Sequence, residues 1–352
     1  MSTIKVAVTR IDDIRPHPNA DALELAIIGG WQMCVKKGIY QPGTDVVYFE
    51  PGTVLPLEVS DRLTVTRYMH EKTDIQGHRV RVIHRVRLRG EPSFGLVIAP
   101  EPGMAFGQDV ADHYQATKFY PPVKTSAGDY ERDDSRFPPY TDIENMRSYS
   151  TLLREGEEVV ATEKIHGTNC RVGFALDGKD VKWMAGSKSM RRKQPDTEDS
   201  MAANRYWFPL TIPAVKALLA SLAEQRVPRA VLYGEVFGPG IQSFHYGQQG
   251  LAFRAFDLLA GDHFLHHDEF LRLCSEHGVP TVPEVYRGPF SLAAIKKLSD
   301  GDSPTGGAHG REGVVVKPVK ERHDPVIGRV ILKYIGDTYL FGKAAEEDTT
   351  DA

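Results

Sequence analysis

The chain has 352 residues, of which 41% are hydrophobic and 26% are charged, and its formal net charge is −4. These values are typical of a globular protein with room for two ordinary domains, and they exclude a largely disordered chain. The charge also lacks the overall basic excess of many nucleic-acid-binding proteins, so local charge is the better guide to partners. No apolar stretch is long enough for a signal peptide or a membrane span, and we expect a cytoplasmic protein with no membrane partner.

The cysteines of the chain are few and far apart, at Cys34, Cys170 and Cys274. This spacing suits a reducing compartment and predicts neither a disulfide framework nor a zinc knuckle. We therefore expect no tightly bound structural metal.

The first 120 residues predict a small all-β unit, because short apolar segments alternate with Gly, Pro, Asn and Asp. Those segments are IKVAVTRI, LELAII, WQMCVKK and DVVYFE. Residues 79–89 place five arginines at odd positions and four apolar residues at even positions, as in a strand with one cationic and one apolar face. The cationic face could be the solvated side of an edge strand, where charge resists aggregation, or it could contact RNA, and both interpretations stay open. A second basic stretch covers residues 182–193.

Residues 121–140 are predicted to form a linker, because they are rich in Pro, Ser, Asp and Arg and lack apolar periodicity. From residue 141 to residue 345, strands alternate with amphipathic helices, which predicts a mixed α+β domain; residues 346–352 are predicted to form an acidic, frayed tail. Three helices are expected. The first begins near Pro213 and has Val215, Leu218, Leu219 and Leu222 on one face. The second runs from Asp268 to His277 and ends at Gly278, and the third runs from a Ser291 cap to Gly301.

The second half contains Lys164, in Glu163-Lys-Ile-His-Gly-Thr-Asn169, and four further charged clusters follow it. A lysine amine attacks phosphorus only when it is deprotonated, so its pKa must fall well below the usual value of about 10.4. Neighbouring cations or a bound metal could lower this pKa and also neutralise a triphosphate. The candidate cations are Lys188, Arg191, Lys317 and Lys333.

Two carboxylates lie in apolar strands, Glu235 in Tyr-Gly-Glu-Val-Phe-Gly and Asp257 in Phe-Arg-Ala-Phe-Asp. Carboxylates in such positions are costly to bury unless they bind something. Glu235 could accept hydrogen bonds from ribose hydroxyls or hold a metal. Phe256 could stack on a purine or belong to the core, and the sequence leaves both readings open.

Glu312 and Lys317 bracket a β-branched strand in Arg311-Glu-Gly-Val-Val-Val-Lys317, and Lys333 follows in Arg-Val-Ile-Leu-Lys-Tyr. Residues five apart face opposite ways on a regular strand, so either the strand is bulged or Glu312 and Lys317 serve different partners. Phosphoryl transfer normally uses a hard divalent cation bound by one or two carboxylates and by phosphate oxygens. Glu312 is the first candidate ligand for such a cation.

Taken in this order, the motifs resemble those of the covalent nucleotidyltransferase superfamily of ligases and capping enzymes, over about residues 140–339. The Lys164 motif is similar to that of RNA ligases, whereas DNA ligases and capping enzymes typically have an acidic residue before the glycine. His166 and Asn169 are the residues that discriminate. DNA ligases and capping enzymes also carry an OB-fold after the last motif, whereas here Lys333 lies within twenty residues of the C-terminus.

The β-rich region that precedes these motifs resembles the N-terminal OB domain of Deinococcus-type RNA ligases. It also looks like the OB module of tRNA-binding proteins, through His17-Pro-Asn-Ala-Asp21 and Gly43-Thr-Asp-Val-Val47. The resemblance therefore implies an α+β protein: an N-terminal OB-like β-barrel over residues 1–120 that binds RNA, and then a mixed α+β nucleotidyltransferase domain, of an ATP-grasp-like ligase type, over residues 141–345.

The resemblance implies an ATP-dependent RNA ligase that uses Mg²⁺ or Mn²⁺. Lys164 would attack the α-phosphorus of ATP, AMP would then move to an RNA 5′-phosphate, and an RNA 3′-hydroxyl would displace AMP. The expected substrate is nicked duplex RNA or RNA–DNA hybrid. No protein partner is implied. By motif position, Lys164 is the nucleophile and His166 and Asp257 act mainly in the later, RNA-dependent steps. Glu312 and Glu235 would serve the metal, and the cofactor would contact Glu163, Asn169, Lys188, Arg191, Glu235, Phe256, Lys317 and Lys333.

One departure from the family pattern concerns the last motif. Nick-sealing phage RNA ligases typically end with two lysines separated by one residue, whereas this chain has Lys333 and then Ile335. Lys317 could supply the second phosphate contact.

Two other readings remain, a DNA ligase or GTP-using capping enzyme of the same superfamily, and a non-catalytic RNA-binding protein. The short sequence after Lys333 weighs against the first. The presence of Lys164, Glu235 and Glu312 together with Lys333 weighs against the second.

Overall fold

A computed structural model describes residues 4–122 and 129–341 of the chain. These residues form two compact units. The first contains the described part of Met1–Lys124 together with Asn145–Ser150, and the second contains the described part of Thr125–Glu144 and Thr151–Glu347. The predicted tail, residues 346–352, lies outside the described residues. Across the described part of the chain, no helix is long and apolar enough to cross a membrane.

The first unit is built almost entirely of strands, as its alternating apolar segments predict. Its strands are β1 (Val6–Arg10), β2 (Asp13–Pro16), β3 (Leu23–Ile28), β4 (Trp31–Lys36), β5 (Asp45–Phe49), β6 (Thr53–Leu55), β7 (Met69–Thr73), β8 (Arg79–Ile83), β9 (Arg85–Leu88), β10 (Glu91–Phe94), β11 (Leu96–Ile98) and β12 (Thr117–Lys118). A short helix, α1 (Leu57–Arg62), and a 3-10 turn at Thr66–Tyr68 precede β7.

The sheets of the first unit have the strand orders β1-β5-β11, β2-β3-β4, β12-β6-β8-β7 and β10-β9. Their named strand pairs are antiparallel. One core cluster combines Val8 of β1, Phe49 of β5 and Ile83 of β8, so strands of two sheets bury their apolar side chains together.

The arginine-rich segment at residues 79–89 is not the single strand that its alternation predicts. β8 ends at Ile83, β9 begins at Arg85, and the two strands belong to different sheets. Val82 and Ile83 are both buried, whereas Leu88 is 38% exposed, so the predicted apolar face is wrong. The break at His84 lets the chain leave β7 and pair with β10, and the arginines before and after it therefore do not share one face.

The segment Asn145–Ser150 belongs to the first unit because Arg147 is buried there. The Arg147 guanidinium lies 5.5 Å from the centroid of the Trp31 ring and 5.1 Å from that of Phe94, and it donates a hydrogen bond of 3.1 Å to the Gly30 carbonyl. Aromatic faces and a carbonyl give a buried cation the partners that it needs. The sequence predicts that this segment belongs to the nucleotidyltransferase domain of residues 141–345, and nothing in its composition indicates these contacts.

The second unit contains two larger sheets and five helices within the described residues. Its strands are β13 (Glu144–Asn145, which begins in this unit), β14 (Glu158–Lys164), β15 (Thr168–Asp177), β16 (Asp180–Ser187), β17 (Arg191–Arg192), β18 (Arg229–Phe237), β19 (Ala252–Ala260), β20 (His263–Phe264), β21 (Glu284–Pro289), β22 (Gly313–Pro318), β23 (His323–Asp324), β24 (Gly328–Arg329) and β25 (Leu332–Ile335). Its helices are α2 (Glu198–Ala203), α3 (Pro213–Glu224), α4 (His267–His277), α5 (Leu292–Ser299) and α6 (Asp337–Leu340), with a 3-10 turn at Phe208–Thr211. The larger sheets have the orders β13-β25-β22-β14-β21 and β17-β16-β15-β18-β19-β20.

Helices α3 and α4 cover one face of the six-stranded sheet. Val215, Leu218, Leu219 and Leu222 of α3 are buried in the same cluster as Phe270 and Cys274 of α4, which confirms the predicted apolar stripe. Gly278 ends α4 with a φ of 74°, a left-handed conformation that glycine adopts without strain. Helix α5 follows Ser291 as predicted, although the Ser291 side chain makes no capping hydrogen bond.

The other face of the six-stranded sheet packs toward the five-stranded sheet. A shared cluster contains Val231 and Tyr233 of β18 together with Val315 of β22 and Ile331. Residues that face this cluster therefore lie between the two sheets, and the charged motifs of the sequence are found here.

A β-bulge in β19 brings two neighbouring residues to this face. Tyr233 pairs with Asp257 and Gly234 pairs with Ala255, so Phe256 is the extra residue of β19. Ala255 and Leu258 both lie on the helix-covered side. Phe256 and Asp257 can therefore both face the five-stranded sheet, which a regular strand would not allow.

Candidate functional site

Lys164 is the last residue of β14, and its amine is held by a carboxylate. Lys164 Nζ lies 2.6 Å from Glu312 Oε1, and the side chains are 15% and 3% exposed, respectively. In the sheet, Lys164 pairs with Gly313, which in turn pairs with Ile335. A Cβ on Gly313 would lie 2.3 Å from the Tyr334 carbonyl oxygen, so this point of the row requires glycine. The sequence-predicted nucleophile therefore lies in a mostly buried ion pair beside closely packed backbone.

His166 lies near the second oxygen of the Glu312 carboxylate. Its Nδ1 is 3.6 Å from Glu312 Oε2 and 3.2 Å from the Tyr339 hydroxyl. Its Nε2 is 3.3 Å from Ser243 Oγ, and its backbone N–H donates a hydrogen bond of 2.6 Å to the Tyr246 hydroxyl. His166 is therefore fixed at both ring nitrogens and at the backbone, two residues after Lys164.

An aromatic wall, defined as Phe244, Tyr246, His309 and Tyr339, surrounds His166. The Phe244 and His309 rings are stacked with centroids 4.0 Å apart, and the His166 ring lies 5.0 Å from Phe244. Ile335 packs against Tyr339 and Phe244. The position at which nick-sealing phage RNA ligases have a second lysine is therefore an apolar residue that packs against this wall.

Asn169 and Glu235 lie directly opposite each other on β15 and β18. Direct cross-strand partners in an antiparallel pair point to the same face, and alternation with Tyr233 places that face between the two sheets. Asn169 Oδ1 is buried and has no hydrogen-bond partner among the described residues, and Glu235 is half-buried. A Cβ on Gly167 would lie 2.4 Å from the Val236 carbonyl, so only glycine lets the chain pass so close to Glu235.

Phe256 and Lys333 complete this group. Phe256 is half-buried, and its ring lies 4.9 Å from that of Tyr140, so one part is packed and another is accessible. Lys333 pairs with Val315, which pairs with Thr162, two residues before Lys164. Lys333 and Lys164 therefore point to the same face of the five-stranded sheet in neighbouring rows.

Lys317 and Asp257 lie in a second, deeper cluster. Lys317 Nζ is 3.6 Å from both Asp257 and Glu321, and Arg329 is 2.6 Å from Asp257. The Tyr140 hydroxyl donates a hydrogen bond of 2.8 Å to Asp257. Of the two possibilities left by the sequence, Glu312 and Lys317 thus serve different partners. The structure groups Lys317 with Asp257 and not with Lys164.

The charges of this deeper cluster shift the pKa values of its acids. Burial disfavours the ionised carboxylate of Asp257, but Lys317 and Arg329 outweigh burial and hold its pKa below the usual value. Burial and the negative charge of Asp257 raise the pKa of Tyr140 well above its ordinary value. Asp257 is therefore a buried carboxylate that stays ionised at neutral pH.

The two predicted phosphate-contacting cations of the β16–β17 region are held by other carboxylates. Lys188 Nζ lies 2.6 Å from Asp142. Arg191 pairs with Glu131 and donates a hydrogen bond of 3.3 Å to the Arg132 carbonyl. Lys188 and Arg191 are therefore already paired, and a nucleotide would have to compete with these carboxylates or use the remaining N–H donors of the two side chains.

Glu163 precedes Lys164 and therefore faces the opposite side of β14. Its Oε2 accepts a hydrogen bond of 3.2 Å from the Thr305 backbone N–H and a second one from the Thr305 hydroxyl. Its Oε1 is buried without a hydrogen-bond partner among the described residues. The carboxylate thus positions the strand that carries Lys164, and Glu163 could reach a nucleotide only through its main chain.

Thr305→Val is expected to destabilise the second unit and to slow any reaction of Lys164. The change removes one of the donors to a buried carboxylate, which costs about 1–3 kcal/mol, or a fall in Tm of about 2–4 °C per kcal/mol. Thermal unfolding measures this. The matched control is Thr211→Val, because within the described residues the Thr211 hydroxyl bonds just the Phe208 carbonyl of its own turn. Equal Tm shifts in the two variants would contradict the positioning role.

Several residues of the site carry no signal in the sequence. Thr305, Ser243, Tyr246 and Tyr339 are single polar or aromatic residues whose partners are distant in the chain. Arg329 does stand in a charged motif next to Lys333, and that position could have marked it as a partner for a buried carboxylate.

Comparisons with known proteins agree with this architecture. A family model described as RNA ligase matches residues 157–335, and an OB-fold domain model matches residues 5–100. The second match confirms the predicted OB-like N-terminal unit. The strands and helices of the two units confirm the predicted α+β class. No curated protein sequence matches the chain.

Solved structures of a Naegleria gruberi RNA ligase share the fold. The structure with pyrophosphate is 23% identical, with a TM-score of 0.74 over 95% of this chain and 97% of that chain. A variant with ATP and Mn is 23% identical, with a TM-score of 0.74 over 95% and 98% of the two chains. Another variant, with AMP and Mn, is 24% identical, with a TM-score of 0.75 over 95% and 97%.

Proposed function

The chain belongs to the RNA ligase family, and we propose on this basis that it is an ATP-dependent RNA ligase that joins 3′-hydroxyl and 5′-phosphate ends. The reaction would run through a lysyl-AMP and an adenylated RNA 5′ end. The observation that carries the proposal is the contact of the Lys164 amine with Glu312 between two sheets that also present Asn169 and Glu235.

In the first step, Lys164 Nζ would form a bond to the α-phosphorus of ATP, and the bond from that phosphorus to the pyrophosphate would break. The amine must lose a proton to react. Glu312 is 2.6 Å away and orients the amine. A neighbouring positive charge in the occupied site would favour the neutral amine.

In the next two steps, AMP would pass from Lys164 to the 5′-phosphate of RNA, which frees the lysine. A 3′-hydroxyl would then attack that 5′-phosphate, form the phosphodiester and release AMP. We propose that His166 and Asp257 act mainly in these steps.

The residues of the site fit a divalent cation of the Mg²⁺ or Mn²⁺ type. Glu312 Oε2 is buried and makes no hydrogen bond among the described residues, so a hard ligand oxygen is available. Such cations are often bound by one or two carboxylates plus substrate phosphates, and Glu235 is the second candidate. When bound, the cation would neutralise the charge of the triphosphate. Mn accompanies ATP in a solved Naegleria gruberi RNA ligase variant.

We assign the nucleotide contacts to residues that face the space between the sheets. Asn169 and Glu235 would contact ribose, Phe256 would stack on adenine, and Lys333 would contact phosphate. Lys317 is a weaker candidate for phosphate, because Asp257 and Glu321 lie beside its amine. The first unit would bind RNA, and the second would carry out adenylation.

We propose nicked duplexes with ribose at the 3′-hydroxyl end as substrates. The test uses the purified chain with ATP labelled at the α-phosphate, Mg²⁺ or Mn²⁺, and nicked duplexes that carry RNA or DNA on each side. We expect a protein-bound label that survives denaturation, and sealing that requires ribose at the 3′-hydroxyl end but tolerates deoxyribose at the 5′-phosphate end. Absence of the label, labelling by GTP instead of ATP, or equal joining of deoxyribose ends would reject the proposal.

A further inference from the structure

The first unit contains a group of basic side chains that the adenylation chemistry does not use. This basic cluster is defined as His70, Lys72, His84 and Arg85. His70 and Lys72 are two residues apart on β7 and so share one face, opposite Val82 and Val80 of β8. His84 lies between β8 and β9, and Arg85 is the first residue of β9.

Two contacts hold the basic cluster together. The rings of His70 and His84 lie with centroids 4.7 Å apart at an angle of 31°. Lys72 Nζ lies 5.3 Å from the centroid of the Phe119 ring, which is itself buried. The side chains are therefore held by packing against the unit, which brings their ring and amine nitrogens together at one place.

The charges of the basic cluster oppose one another. Burial lowers the pKa of His84, and Lys72, His70 and Arg85 lower it further, to about 4. Burial, and then Arg85, lower the pKa of Lys72. Groups that disfavour each other's protonation in this way are stabilised when an anion binds among them.

Within the described residues, three members of this cluster have no carboxylate beside them, whereas the neighbouring face has one. In the described part of the chain, no Asp or Glu lies within 4.0 Å of the basic nitrogens of His70, Lys72 or His84. Arg79, by contrast, pairs with Glu71 at 3.0 Å. Glu71 and Arg79 belong to the opposite face of the same strands, because Glu71 alternates with His70 and Lys72.

An exposed aromatic residue precedes the cluster. Tyr68 is 48% exposed and stands two residues before His70, and the Arg67 guanidinium lies 4.7 Å from the centroid of its ring. Proteins that bind single-stranded nucleic acid combine a cationic groove for the backbone with aromatic side chains on which bases stack. Tyr68, two residues before His70 in the chain, and the basic cluster supply these two kinds of side chain.

We propose that the basic cluster binds the phosphodiester backbone of the RNA substrate and that Tyr68 stacks on a base of the same strand. The inference rests on the proposed function, because RNA is the polyanion that this enzyme would join. It places the RNA contact of the first unit on the face of His70 and Lys72 rather than on the arginine-rich residues 79–89 as a whole.

The test measures binding of a fluorescein-labelled nicked RNA duplex by anisotropy at several salt concentrations. The variants are Lys72→Gln combined with His84→Gln, Tyr68→Ala, and Arg79→Gln as the matched control from the paired face. We expect the double variant to bind about tenfold more weakly and to lose about one unit of the slope of log K against log salt. Tyr68→Ala should weaken binding with little change in the slope, because a stacked base carries no phosphate.

Arg79→Gln should bind within about twofold of the parent, because its charge is already paired with Glu71. Lys72→Arg should retain most of the affinity, since it keeps both the charge and the contact with Phe119. If the double variant fails to fold, as judged by circular dichroism, Lys72→Gln alone should still weaken binding about threefold. The inference is overturned if the double variant binds RNA as tightly as Arg79→Gln does. If Lys72→Gln is used in its place, the same outcome in that variant overturns the inference.

Two further readouts separate this inference from the proposed function. Every preparation is assayed for the labelled adenylate without RNA. If the parent protein forms no labelled adenylate, the proposed function itself is wrong. If the parent forms the adenylate and the variants bind RNA normally, only the RNA site is wrong. Unlabelled polyglutamate is added as a competitor. Competition as strong as that of RNA would show a general polyanion site and would also overturn the assignment.

Discussion

Lys164→Ala is expected to abolish the labelled adenylate that survives denaturation and all RNA sealing from ATP. The reason is chemical, since among the described residues no other lysine amine is paired with Glu312 at the end of β14. Lys164→Arg should be equally inactive, because the guanidinium keeps its proton at any pH at which the protein is folded. The measurement is autoradiography of denatured protein after incubation with labelled ATP.

The matched control for this loss is Lys182→Ala. Lys182 lies on β16 of the same unit, and its amine pairs with Asp134 at 3.2 Å, so its removal should leave the label at the parental level. The Lys164 variants should also still seal RNA that is supplied with a pre-adenylated 5′ end, because that substrate enters after the lysine has acted. Label on Lys164→Ala, or loss of label in Lys182→Ala, would contradict the assignment of the nucleophile.

For residues within regular strands, the sequence alone predicts which face of the sheet each side chain occupies. Alternation along β15 and β18 puts Asn169 and Glu235 on one face, and both strands lie where the apolar runs predict them. The α3 stripe and the Gly278 stop depend on equally local rules. Local rules succeed here because each residue's face is set by its own strand or helix.

The remaining features of the site depend on registers that no local pattern contains. The bulge at Phe256 turns Asp257 to the same side, and only the pairing with β18 shows it. Glu163 stays a predicted cofactor contact, but no local pattern indicates that its carboxylate bonds Thr305, 142 residues away. The prediction of one strand over residues 79–89 was wrong for the same reason. The break at His84 follows from a change of pairing partner from β7 to β10.

Asp257→Ala is expected to destabilise the second unit more than any surface substitution. Asp257 is 0% exposed, lies 2.6 Å from Arg329 and 3.6 Å from Lys317, and accepts a hydrogen bond from Tyr140. Removing one partner of a buried ion pair leaves uncompensated charge and costs about 3–5 kcal/mol. Asp257→Asn should cost a similar amount, because the amide keeps the shape but leaves the two cations unneutralised. Urea unfolding at pH 7 measures both.

The control for this prediction is an exposed pair of the same chemistry. Asp262 is 83% exposed and lies 2.7 Å from Arg229, so Asp262→Ala should cost no more than about 1 kcal/mol. If Asp257→Asn proved as mild as Asp262→Ala, the carboxylate would not be balancing the buried cations. A loss of sealing in Asp257→Asn would then have to come from chemistry and not from folding.

The pH dependence gives the prediction a second test with a definite sign. The pKa of Asp257 in the folded chain is lowered from 3.8, so its ionised form is favoured by folding. Its contribution to stability is therefore fully present above pH 3.8 and is lost as pH falls through the lower, folded pKa. The difference in unfolding free energy between the parent and Asp257→Asn should stay constant from pH 7 to about pH 5 and shrink only in stronger acid. A difference that already disappears between pH 7 and pH 5 would mean that the folded carboxylate takes up its proton near neutrality, which a carboxylate held between Arg329 and Lys317 should not do.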